Sequence, residues 1–288
     1  MSVDILQEKI RKLKNPSVVD FTLSKQWLPP QVMEGSGSLC DAWLGYCKDM
    51  LQALKGTVPA VRFGFASFSL LGAAGIDALE QLLSRARELG YYILLDMPEL
   101  LSPVAAKTAA EELAPWAYDG VVVSPYLGSD VLRPFVSLCK EQNKALFVVV
   151  RTSNKSAMEL QDLMTGSRLV HSAVTDIVNR HGETMVGKSG YSQVAVVAGA
   201  GAPNSLKSLR SKYTRIFLLL DGYDYPSGNA KNCSYAFDRL GHGAAACACG
   251  SILGAWQEEG ESSEDYTGAA LRAAERMKKN LTRYITVL

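Results

Sequence analysis

The 288-residue chain carries 30 lysines and arginines against 29 aspartates and glutamates, a formal net charge of +1. No global basic field therefore marks a nucleic-acid-binding protein. Hydrophobic residues make up 48% and charged residues 20%, enough for a full core.

No apolar run reaches the roughly eighteen residues that a membrane span needs. The charged, helix-like start from Met1 to Lys14 has no apolar signal-peptide centre, so a cytoplasmic protein with no membrane partner is expected. Six cysteines, at 40, 47, 139, 233, 247 and 249, are too sparse for a disulfide framework. Cys247 and Cys249, with Cys233 not far off, offer the one conceivable soft-metal or redox cluster. The chain has no Cys-x-x-Cys, and its histidines are only His171, His181 and His242. Buried structural thiols and no metal site are expected.

Apolar runs alternate with amphipathic stretches along the chain. Residues 3–14 read as a helix and 17–21 as a short strand. Pro29, Pro30 and the Gly/Ser run 35–38 form a loop before a helix over 39–55. A strand over 59–64 leads to an amphipathic helix over 75–89, which Gly90 stops. Tyr91 to Asp96 is the third strand. The next helix, 103–114, has Ser102 as N-cap and Pro103 at its first position. Val121 to Val123, a helix over 128–141 and the nearly all-apolar strand 145–150 follow. Then come helix 167–180, strand 193–198, helix 203–211, strand 216–220, a loop over 221–232, helix 232–239, strand 244–249 and a last helix over 265–280.

About eight βα units with continuous apolar strands and no linker-like break predict one domain over residues 1–288. The predicted architecture is a closed (β/α)8 TIM barrel rather than an open doubly wound sheet. No Gly-x-Gly-x-x-Gly follows the first strand, against a dinucleotide-binding domain. In such a barrel the residues just past the strand C-termini carry the chemistry, which singles out Asp96. Its followers Met97, Pro98, Leu100 and Leu101 are apolar, so a catalytic position has little equipment around it.

Several stretches together resemble the orotidine 5'-phosphate decarboxylase family, in its longer bacterial subgroup. They are Val58-Pro59-Ala60-Val61-Arg62, Ser124-Pro125-Tyr126-Leu127-Gly128-Ser129-Asp130, and Val150-Arg151-Thr152-Ser153-Asn154-Lys155-Ser156 with Glu159-Leu160-Gln161-Asp162-Leu163. Gly187-Lys188-Ser189-Gly190-Tyr191-Ser192 and Leu220-Asp221-Gly222-Tyr223 extend the likeness over most of the chain. The resemblance implies a (β/α)8 barrel, usually a homodimer, with its site at the strand C-termini. It also implies decarboxylation of orotidine monophosphate to uridine monophosphate, in pyrimidine biosynthesis, with no metal or organic cofactor.

The family's design is an Asp-x-Lys-x-x-Asp motif after the third strand, with one further lysine earlier. Negative charge stresses the substrate carboxylate, and lysine protonates the developing carbanion. This chain departs from it. Asp96 matches the first Asp, the motif lysine falls on Pro98 and the second Asp on Leu101. The acid after the first strand becomes Thr22, within Asp20-Phe21-Thr22-Leu23. The lysine of the second strand becomes Arg62, a poor proton source.

The phosphate loop corresponds to Asp221-Gly222-Tyr223-Asp224-Tyr225-Pro226-Ser227-Gly228, where Asp221 and Asp224 would repel a dianion. The arginine after the eighth strand falls on Gly250. Ser153, near the pyrimidine-reading position, and Gly199-Ala200-Gly201, with backbone amides to offer, survive.

Each feature carries a bland reading beside the functional one. Asp96 is a functional acid or a cap for the following helix. Arg62 binds an anion or pairs with Asp96 across the barrel mouth. Ser153 and Asn154 bind a ligand or hold their loop by side-chain to backbone bonds. Asp221, Tyr223 and Asp224 form a new ligand site or a solvated turn. Lys107 is a relocated base or part of a solvated helix face.

The expected site residues are Asp96 and Arg62 for catalysis, and Ser153, Asn154, Ser124, Gly199, Ala200 and Tyr223 for ligand binding. Loss of several charged members of one array favours an inactive paralogue that binds a nucleotide, another small anionic ligand or a protein partner. The alternative is an active carboxy-lyase with a rebuilt site.

Overall fold

The computed structural model describes residues 1–97 and 100–288. Pro98 and Glu99, the first of which takes the place of the motif lysine, lie outside the described residues. Eight parallel strands close into a barrel: β1 Ser17–Phe21, β2 Ala60–Gly64, β3 Tyr92–Asp96, β4 Gly120–Val123, β5 Ala145–Arg151, β6 Val194–Gly199, β7 Leu218–Asp221 and β8 Ala244–Ala248. Each pairs with its sequence neighbours, and β1 closes on β8 through Ser17 opposite Ala246. The expected (β/α)8 barrel is the observed one. Its strands are buried on both faces, which is why they read as apolar runs rather than alternating ones.

The outer layer comprises α1 Ser2–Leu13, α2 Leu39–Leu54, α3 Ala73–Glu88, α4 Pro103–Glu112, α5 Ser129–Gln142, α6 Val170–Gly182, α7 Pro203–Lys212 and α8 Tyr266–Thr282. Ser102 caps α4 as expected, its Oγ accepting the Ala105 N–H at 3.0 Å. The α1 helix packs at the N-terminal end of the strands. Ser2 donates its backbone N–H to Gln193 and its hydroxyl to the Asp119 carbonyl.

Two stretches differ from the sequence reading. Residues 164–169 form a small antiparallel hairpin, Met164–Thr165 against Arg168–Leu169, turned by Gly166 at φ 63°. The following helix therefore starts at Val170 rather than at 167. The helix expected over 232–239 is a single turn, Ala230–Ser234, whose continuation is broken by turns before Gly241 and Gly243, both at positive φ. Short helices also appear over Pro30–Glu34, where a loop was expected, and over Phe65–Ser69, between the expected strand 59–64 and helix 75–89.

Among the described residues no helix is long and apolar enough to cross a membrane.

Candidate functional site

Strand register decides which side chains meet at the barrel mouth. Laterally paired residues point to the same face, and residues two apart along a strand share a face. Asp20 on β1 is opposite Arg62 on β2, Arg62 is opposite Leu94 on β3, and Gly64 is opposite Asp96. Asp20, Arg62 and Asp96 therefore all face the interior. Val18 pairs with Cys247, which brings Cys247 to the same side. Asp221 ends β7 one step beyond the Leu220–Ala246 pair and joins them.

Arg62 is the hub. Its guanidinium donates to Asp20 and to Asp221 (2.8 Å), and Asp96 lies 3.6 Å away. The side chain is almost wholly enclosed, at 5% exposure. Burial alone would pull the arginine's pKa down. Asp20, Asp221 and Asp96 outweigh it and hold the pKa well above its ordinary value. Arg62 is thus a permanent cation that cannot deliver a proton.

A cavity of about 630 Å³ opens above this cluster, lined in part by Thr22, Gln26, Trp27, Asp224, Tyr225 and Ser251. Its titratable neutral groups are poor proton donors. Burial pushes the Cys247 and Cys249 thiols far up. Burial and then the Asp221, Asp224 and Asp20 charges raise the Tyr225 phenol. A second cavity, of about 400 Å³, is lined by Asp176, Lys212 and Arg215 and contains no residue of this cluster. The mouth cavity is the one that strand-end chemistry reaches.

The sequence-derived residues divide. Asp96 and Arg62 meet, in the pairing anticipated as one of two readings, and the N-cap of α4 is Ser102. Asp221 and Asp224 are not a solvated turn: Asp221 pairs with Arg62, and Asp224 Oδ2 accepts the Cys249 and Ser251 N–H groups at 2.9 and 3.0 Å.

Ser153, Asn154, Ser124, Gly199, Ala200 and Tyr223 do not line the cavity. Ser153 donates its hydroxyl to the Asp221 carbonyl, and Asn154 accepts from the Thr152 hydroxyl. Arg151 forks onto Asp162, which also meets His171 Nδ1, so the Arg-Thr-Ser-Asn segment is tied down by its own side chains. Ser124 Oγ accepts the Tyr126 N–H at 3.4 Å in the turn after β4. The Ala200 amide, far from being available, donates to the Asp221 carbonyl at 2.8 Å. Tyr223 is partly buried and packs against the core. Lys107 stands in solvent, 3.8 Å from Glu111, and Leu101 is exposed.

Sequence reasoning missed Asp20 and Trp27. Asp20 carried a signal, since a buried acid one residue before a strand end needs a cation at the facing position of its neighbour. Trp27 carried none, because only the fold lays its indole against Gly250 and Gly254. No group of three or more His, Cys, Asp or Glu side chains able to hold a metal is present among the described residues.

Fold and site together define a (β/α)8 barrel with a charged strand-end cavity, and comparison with known proteins narrows the class. The family model "Orotidine 5'-phosphate decarboxylase / HUMPS family" matches residues 47–224. The chain is 31% identical over 230 residues to an orotidine 5'-phosphate decarboxylase of Rhodopirellula baltica, covering 77% of this chain and 76% of that one. It is 26% identical to one of Clostridium perfringens over 99% of both chains. The solved structure of Leishmania donovani OMP decarboxylase superposes with a TM-score of 0.71 over 98% of each chain, at 21% identity. The chain belongs to the orotidine 5'-phosphate decarboxylase / HUMPS family.

Proposed function

We propose that this chain is a member of the family that does not decarboxylate orotidine monophosphate and uses its barrel-mouth cavity to bind a small ligand without turnover. The observation that carries this reading is the state of Arg62. It stands where the second-strand lysine is expected and is engaged by three carboxylates, Asp20, Asp96 and Asp221. A decarboxylase must stabilise a carbanion and then protonate it, and the described cavity wall has no acid suited to neutral pH. Arg62 keeps its proton, the two thiols and Tyr225 hold theirs tightly, and Lys107 lies outside the cavity. Leu101 in place of the second motif Asp removes a further charge.

A cytoplasmic location and a homodimer belong to the same reading. All six cysteines are free. The loops after β3, β4 and β5 leave Leu101, Tyr126 and Leu160 exposed at one end of the barrel, an apolar face that a second copy would cover.

The second reading is an active carboxy-lyase with a rebuilt site, in pyrimidine biosynthesis. The Arg62–Asp96 pair supports it, because a charged couple is retained at the strand ends. The experiment is decarboxylation of orotidine monophosphate at high protein concentration, followed by ultraviolet absorbance, with Asp96→Ala and Arg62→Ala in parallel. No turnover above background is expected. Turnover that either substitution abolishes would overthrow the first reading in favour of the second.

A further inference from the structure

Asp224 lies in the loop after β7, yet its carboxylate reaches the turn after β8. One oxygen, Oδ2, accepts both the Cys249 N–H at 2.9 Å and the Ser251 N–H at 3.0 Å. The loop is built to bring it there. Gly222 adopts φ 71°, and a Cβ at that position would stand 2.6 Å from the Ser153 side chain. The Tyr223 N–H donates to the Cys247 carbonyl at 3.2 Å, and the Gly228 N–H to the Tyr225 carbonyl at 2.8 Å, which closes the loop on itself.

Two backbone N–H groups converging on one point are a common protein receiver for a ligand's phosphate. Here both are already held by the chain's own carboxylate. The rest of the cavity does not compensate. Asp20, Asp96 and Asp221 line it, and Arg62, its sole cationic side chain among the described lining residues, contacts all three. Any side chain at position 250 would also press on the Trp27 indole, 3.2 Å from where its Cβ would stand. A phosphate entering this wall would meet four carboxylates and no uncommitted positive charge on the described residues.

We infer that Asp224 is a specificity-determining residue, which makes the mouth cavity refuse phosphorylated ligands and accept ones that are neutral or cationic at the Asp224 end. The inference rests on the reading of the cavity as a ligand site and names the class of ligand it takes. The internal carboxylate supplies the negative charge that a phosphate would otherwise bring, and it satisfies the same donors.

The test is calorimetric titration of the full chain with inorganic phosphate at constant ionic strength. It is run on the wild type, on Asp224→Ser, which removes the carboxylate, and on Asp224→Asn, which keeps an oxygen for the amides and removes the charge. Each variant is first checked for a cooperative thermal melt, so that Asp224→Asn carries the test if Asp224→Ser does not fold. The expected result is at least about tenfold tighter phosphate binding by a folded variant than by the wild type. Wild-type binding as tight as that of the variants would overturn the inference, as would no gain in either. The orotidine monophosphate assay separates the two claims. Wild-type turnover would end the inactive reading and leave the role of Asp224 standing on the titration. A gain of phosphate binding in the variants says nothing about turnover.

Discussion

Arg62 and Asp20 are register partners on adjacent strands, and their side chains close a buried ion pair inside the barrel mouth. The pair is not self-sufficient, because Asp96 and Asp221 press on the same guanidinium. Three carboxylates around one cation leave excess negative charge in a place with little water.

The members of this cluster should therefore respond very differently to substitution. Arg62→Met strands three carboxylates, one of them as buried as the arginine, and is expected to cost about 3–5 kcal/mol at neutral pH. Asp221→Asn relieves repulsion at a partly exposed position and is expected to stay within about 1 kcal/mol of the wild type. Urea unfolding of both variants decides the point. Equal losses would mean that Asp221 is as essential to the cluster as Arg62.

Asp4 fastens α1 to the turn before β6. Its carboxylate accepts the Ser189 hydroxyl and N–H, the Lys188 N–H and the terminal ammonium of Met1. Burial would raise its pKa, but these bonds, led by the Ser189 hydroxyl, hold it at about 2 against an ordinary 3.8. A depressed carboxylate contributes stability that is present above the unfolded value and lost as pH falls through the folded one. Asp4→Asn should lower stability by about 1–2 kcal/mol at pH 7. The gap to the wild type should close between pH 3.8 and 2. A gap independent of pH would show that the latch is not electrostatic.

Most of the barrel was legible in the sequence because parallel strands buried on both faces leave continuous apolar runs, as in Ala145–Arg151 and Val194–Gly199. The hairpin at 164–169 was not, since Met164 and Thr165 are exposed and carry no burial pattern. The site was half legible. Asp96 and Arg62 stood out as strand-end charges, and their pairing was one of two readings. The Asp224 bond to Cys249 and Ser251 joins residues some 25 positions apart through two loops, and no local pattern encodes that. Gly199 and Ala200 looked like exposed amides because a glycine-rich segment gives no hint that Asp221 has already claimed one of them.

Lys144 provides a second pH dependence, of the same sense as that of Asp4 but in an alkaline window. Its ammonium donates to the Trp116 and Tyr118 carbonyls and lies 3.6 Å above the Tyr118 ring. Burial is the main cause that brings its pKa down from 10.5 to about 8, with Asp119 pulling the other way and Arg87 adding to the fall. Between those two values the unfolded chain holds a proton that the folded chain has given up. Folding stability therefore rises with pH across the window. Thermal melts from pH 7.5 to 10.5 should show the wild type gaining on Lys144→Met as pH increases. The reverse trend would contradict a depressed lysine.

The final prediction concerns the apolar end of the barrel. Leu101 and Tyr126 are about 80% exposed, at 79% and 80%, and Val104, Met158, Leu160 and Leu163 are also open to solvent. They belong to the segments that follow β3, β4 and β5, which are neighbours in the barrel and project their C-terminal loops to the same end. A monomer seldom exposes so many large apolar side chains at one end of its fold, and a second copy is the cover expected here. Sedimentation at micromolar concentration should give a dimer. Tyr126→Glu and Leu160→Glu should each weaken it by at least about tenfold, since a charge placed in a closed apolar contact is left unpaired. Neither side chain supports the barrel core, so circular dichroism and the melting temperature of the separated chains should be little changed. A wild type that sediments as a monomer would remove the second copy as the cover for this face.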